Sequence, residues 1–170
     1  MTYRCRMPKI LPQHIVAARA KVEPLSLKKA EAFADSIFAT QPNLLASVLV
    51  LPKFGVTNED LDVVLMLLFI CFESVRESGT KLPTITEEIQ ERCLLRIGGK
   101  AKFIEGLSAS ASSQAVSDQV ASHPEPNLIA LCYGMLREND LASVRTEAEK
   151  HLLLASLNIA ESIAYALNDA

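Results

Sequence analysis

The chain has 170 residues, of which 49% are hydrophobic but only 5% aromatic, with no Trp and a net charge of −3. A core drawn from Leu, Ile, Val and Ala favours helices over strands, because helix propensity peaks at Ala and Leu whereas strands select aromatic and β-branched residues. Residues 1–29 carry seven Lys or Arg and one Glu, a balance of +6 that leaves −9 for the rest, so an acidic body would repel nucleic-acid phosphates and only the basic start would attract them.

Residues 1–22 contain Pro8 and Pro12, with room for a short helix over Gln13 to Lys21, and are expected to form a basic N-terminal arm ahead of one helical domain at 23–170. The opening Met1 to Pro8 is basic but lacks the apolar run of about 7–15 residues that a secretory signal needs. Four cysteines without Cys-x-x-Cys spacing read as reduced core residues, and with them the chain is expected to be cytoplasmic.

The first secure helix is predicted over Ser26 to Thr40, where Leu27, Ala30, Phe33, Ala34, Ile37 and Phe38 make one apolar stripe. Pro42 stops it and opens a short second helix over Asn43 to Leu51, since Pro is favoured at a first helical position. The third helix starts at the capping signal Thr57-Asn58-Glu59-Asp60 and runs to Ser78, with Gly79 as its left-handed cap. It contains Val63 to Phe72, ten consecutive apolar residues. Those are too few for the ~20 that span a membrane, and they mark the centre of a bundle.

A fourth helix is predicted from Thr84 or Thr86 to Ile97, ended by Gly98-Gly99. Lys100 to Ser122 keeps helical spacing through a Ser/Ala-rich middle and reads either as one weak helix or as a linker. His123-Pro124-Glu125-Pro126 breaks the chain, a helix follows over Asn127 to Arg137, and a last one runs from Leu141 or Thr146 to Leu167.

Two halves share a pattern. Ala32-Phe33-Ala34-Asp35-Ser36-Ile37 is matched by Ala115-Val116-Ser117-Asp118-Gln119-Val120 at a spacing of 83, and Pro42-Asn43-Leu44 by Pro126-Asn127-Leu128 at 84. Cys71-Phe72-Glu73-Ser74-Val75 is matched by Ile159-Ala160-Glu161-Ser162-Ile163 at 88. The expected architecture is therefore an all-α, single-domain bundle of about six to eight helices, with an internal pseudo-two-fold relation between residues 26–79 and 112–168. The third and last helices should pair at its centre.

Residues able to carry chemistry are few. Glu73 and Glu161 occupy matched positions on apolar helices, where facing carboxylates bind a cation or share a proton, although no Glu-x-x-His element accompanies them. Asn43 and Asn127 repeat after their prolines, where a cap or turn role explains them and a shared binding role is the sharper alternative. His14, His123 and His151 have no paired spacing; Glu147 and His151 share a helical face without the further ligands a metal site needs. Gly98-Gly99-Lys100 lacks the remainder of a phosphate loop, and Cys71, Cys93 and Cys132 sit in apolar periodicity that predicts buried, unreactive thiols.

Three functional expectations follow, none with a cofactor or catalytic residue assigned. The first is an interaction or regulatory protein that associates with a protein partner or with itself. The second is a carboxylate metal-binding protein or enzyme using Glu73 and Glu161 with help from His151. The third is nucleic-acid contact through Arg4, Arg6, Lys9, Arg19 and Lys21.

Overall fold

Helix starts fall where the chain supplies a capping oxygen or a proline. The Thr57 hydroxyl accepts the Asp60 N–H at 3.2 Å, Ser108 accepts that of Ala111, and Thr146 forms a capping box in which Glu149 returns a bond to the Thr146 N–H. Prolines open three other helices. A computed structural model describes residues 7–105 and 108–169, with side chains at all of these but 101–105 and 109. Its helices are α1 (Pro12–Val22), α2 (Leu27–Thr40), α3 (Pro42–Leu49), α4 (Asn58–Glu77), α5 (Glu87–Glu105), α6 (Ala109–Ser122), α7 (Pro126–Glu138) and α8 (Glu147–Asn168). No strand occurs among the described residues, and none of these helices is long and apolar enough to cross a membrane.

α4 and α8 touch each other in the middle, yet each packs more extensively on another helix, α1 on α4 and α5 on α8, with α7 against both. Val64, Leu67, Leu68, Ile70 and Val75 from α4 meet Leu152, Ile159, Ile163 and Leu167 from α8 in one continuous core. Each such side chain, fully buried, contributes roughly 1.5–3 kcal/mol. Serines sit among them without penalty, because Ser74 and Ser156 donate to the carbonyls of Ile70 and Leu152 one turn back. Phe33 holds α2 down through edge contacts to Phe69 at 5.0 Å and Phe72 at 6.1 Å.

Three expectations are revised. The segment expected as an arm contains α1, whose Ala18 and Val22 are buried against the core; residues 1–6 lie outside the described set. α5 does not end at Gly98-Gly99 but continues to Glu105. Glycine stops a helix when it turns left-handed, as Gly55 and Gly79 do at φ 85° and 69°, whereas Gly98 and Gly99 keep negative φ and only weaken the helix by about 1 kcal/mol apiece. Lys100 to Ser122 is neither one helix nor a linker, since α5 and α6 share it on either side of the Ser108 cap.

The two Pro-Asn steps each grip a distant non-helical lead-in. Gln41, buried, accepts the Ile85 N–H at 2.8 Å and donates to the Pro83 carbonyl at 3.0 Å, while Asn43 donates to the Ile85 carbonyl at 3.2 Å. Glu125, fully buried, accepts the N–H groups of Lys9 and Ile10 at 3.1 and 3.0 Å, and Asn127 donates to the Ile10 carbonyl at 2.8 Å. Thus α3 secures the entry to α5, and α7 the entry to α1. Proline forces the residue before it out of helical geometry; Gln41 and Glu125 stand at φ/ψ of −137°/59° and −123°/72°.

Candidate functional site

Glu161 is the most elaborated of the residues singled out above. It is 5% exposed on α8, and α5 brings two cations to it: Lys100 Nζ at 3.5 Å from Oε1 and Arg96 at 3.9 Å from Oε2. The turn before α7 adds His123 Nε2 at 3.5 Å from Oε2. Burial works to raise its pKa, but the hydrogen bond and electrostatic pull of His123 and the charges of Lys100 and Arg96 together outweigh burial and leave it below the ordinary carboxylate value. Tyr165, one turn on, underlies both Arg92 and Arg96 at 5.6 and 5.5 Å and accepts a hydrogen bond from Arg92 at 2.7 Å. Arg96, Lys100, His123, Glu161 and Tyr165 line a small cavity of about 120 Å³.

The orientation of His123 follows from its neighbours. The Glu125 N–H donates to Nδ1 at 3.0 Å, so Nδ1 supplies a lone pair to the backbone and Nε2 is the nitrogen whose N–H faces Glu161. In a catalytic dyad the carboxylate takes the Nδ1 proton and Nε2 keeps a free lone pair for substrate. Here the lone pair is consumed by the backbone. The arrangement orients and holds charge; it has no general base on offer at this ring.

Glu73, the matched residue on α4, is 6% exposed and has its own cations. Lys21 of α1 lies 3.5 Å from Oε1 and Arg76 lies 3.3 Å from Oε2, though no hydrogen bond of good geometry reaches that second oxygen. Lys21 also pairs with Glu77. Glu73 and Glu161 therefore share no partner, each being neutralised by the helix packed on its own. His151, expected to assist them, stacks instead on Phe54 with ring centroids 4.5 Å apart. Among the described residues no group of three or more His, Cys, Asp or Glu side chains is placed to hold a metal ion.

Asn43 and Asn127 are placed as second residues of their helices, but they cap nothing. Their amides reach across to another segment, and the proline before each removes one of the helix-start N–H groups that a cap would have to serve. The residues that matter as much, Gln41 and Glu125, were missed, and the signal was available: an amide or carboxylate directly before each repeated Pro-Asn. His123 was missed as a turn residue. Of the five basic residues assigned to nucleic acid, Lys9 donates to the Leu167 carbonyl, Arg19 pairs with Glu23 and Lys21 with Glu77; Arg4 and Arg6 lie outside the described residues. Burial pushes the Cys71 thiol up to about 12 and that of Cys132 well above its usual value, which removes both as nucleophiles.

Comparison with known protein families, curated proteins and solved structures finds no match to this chain.

Proposed function

We propose that the chain acts by binding, as a cytoplasmic helical interaction protein that self-associates through the face shared by α5 and α6. The observation that carries this reading is Leu95, 79% exposed, at the edge of an open groove of about 700 Å³ with Gly99 and Ala115 along it and Arg96 and Lys100 beside it. An exposed aliphatic side chain beside the small residues Gly99, Ala115 and Ser122 offers an anchor point for a second surface. The flanking cations complement the acidic remainder of another copy.

The same proposal includes the internal relation, widened to four helices per half, α1–α4 and α5–α8. At one constant offset Pro8 matches Pro83, Ile10 matches Ile85, Ala18 matches Cys93, Lys21 matches Arg96 and Val22 matches Ile97. Lys21 pairs with Glu73 as Arg96 does with Glu161, and the two clasps cross between halves. These correspondences support a duplicated unit that closes on its twin.

Sedimentation equilibrium over a wide concentration range tests self-association. The wild type is expected to dimerise and Leu95→Glu to remain monomeric with an unchanged circular dichroism spectrum; a wild type that stays monomeric at the highest soluble concentration refutes the proposal.

A further inference from the structure

A second groove, of about 440 Å³, runs between α3 and α5 and shares no lining residue with the α5–α6 groove. That volume falls among those of small-molecule pockets, roughly 300–1,000 Å³. Its floor is unusual for a helix–helix crevice because it is made of carboxamides whose orientation the protein has already fixed. Gln90, 7% exposed, spends its amide nitrogen on the Ser47 hydroxyl at 3.0 Å, which leaves Oε1 as a free acceptor. Asn43 spends its nitrogen on the Ile85 carbonyl and leaves Oδ1. Asn158, also 7% exposed, takes the Ser162 hydroxyl on Oδ1 at 3.2 Å, and its Nδ2 donates to no described group.

Glu87 and Glu91 stand one turn apart on the rim, Leu94 and Ala46 form an apolar wall, and among the described residues no Lys, Arg or His lines the groove. Two carboxylates and two fixed amide oxygens repel an anion. A purely apolar guest would strip water from buried polar atoms without replacing its bonds, at about 1–3 kcal/mol for each. The complementary guest donates at least two hydrogen bonds, is positively charged and carries an alkyl stem for Leu94.

We propose that this groove binds a small organic cation, an alkylammonium or guanidinium group on an aliphatic stem. The charged head bonds to Gln90 Oε1 and Asn43 Oδ1 within the field of Glu87 and Glu91. This site is independent of self-association and of the α5–α6 face.

Nuclear magnetic resonance titration tests it directly, because the side-chain amide signals of Gln90, Asn43 and Asn158 report on the groove floor. Spermidine and N-acetyl-arginine methylamide are the cationic probes, and N-acetyl-citrulline methylamide is the neutral isostere. Saturable shifts in those three amides are expected with a cation, with at least tenfold weaker binding of the citrulline compound and a similar loss in Glu87→Gln/Glu91→Gln, whose exposed positions leave folding intact. Tighter binding of spermidine assigns a free polyamine; tighter binding of the arginine derivative assigns a side chain presented by another protein. Absence of saturable shifts with both cations, equal binding of the citrulline compound, or unaltered affinity in the double variant overturns the proposal and leaves a solvent-filled crevice.

Discussion

Glu161 is the residue whose ionisation the fold most visibly controls. Its carboxyl is held below its ordinary value by His123, Lys100 and Arg96 in spite of burial, so the folded chain binds that proton more weakly than the unfolded one. The resulting stability is complete above the unfolded carboxylate value near ~4.3 and is lost as pH falls through the lower folded value. Glu161→Gln is therefore expected to destabilise the protein by about 1–2 kcal/mol at neutral pH, a modest figure because Arg96 and Lys100 remain half-exposed and solvated. Urea unfolding should show that difference shrinking as pH falls through the lowered folded value, below which the wild-type carboxyl is also neutral; a gap that persists undiminished in acid contradicts the assignment. Glu125 contributes in another way, as the acceptor for two buried backbone N–H groups and the Asn168 amide. Glu125→Ala should cost about 2–4 kcal/mol by orphaning both N–H groups, and Glu125→Gln distinctly less because one acceptor oxygen survives. Chemical denaturation of the two variants side by side checks this, and equal losses would count against the clasp. The likeness of the segments around Glu73 and Glu161 is a feature of the sequence, but their separate cations were not legible there, because Lys21, Arg96 and Lys100 come from helices distant in sequence.

At the scale of elements, boundaries set by caps and prolines were readable from the chain. Thr57, Gly79, Thr86 and Thr146 act where their chemistry places them, with the Thr86 hydroxyl accepting the Ile89 N–H at 3.3 Å. The Gly98-Gly99 stop was not readable, since glycine permits both the left-handed cap and the right-handed helix and the packing of Ile97 against the core selects the latter. A Cβ added at Gly98 meets no heavy atom of the described residues within 4 Å, its chain neighbours and its own helix backbone aside. Gly98→Ala should thus raise stability by about 0.5–1 kcal/mol through helix propensity and reduced freedom of the unfolded chain. Thermal unfolding measures it, and a destabilised variant would mean that α5 is broken at that point. The Lys100 to Ser122 stretch was ambiguous for a related reason: Ser and Ala support a helix or a linker equally, and the Ser108 cap decides between them locally.

For the molecule as a whole, the crossed clasps make each half dependent on the other. Residues 7–80 hold the Gln41 and Asn43 clasp but lack the segment it grips, and residues 81–169 are in the converse position. Expressed singly, each half is expected to show weak helical circular dichroism; co-expressed, the halves should copurify as a folded complex. Independent folding of either half alone would refute that dependence. The sequence by itself determined the helical class, most helix limits and the aliphatic centre on α4 and α8, because propensity, capping and apolar period are properties of neighbouring residues. Only the tertiary structure decided that α1 belongs to the core, that Pro-Asn steps bind lead-ins instead of capping helices, that His123 and not His151 meets Glu161, and that three carboxamides converge between α3 and α5. Those outcomes depend on which distant groups fill a hydrogen-bond valence or an ion pair, and one-dimensional spacing carries no record of that choice.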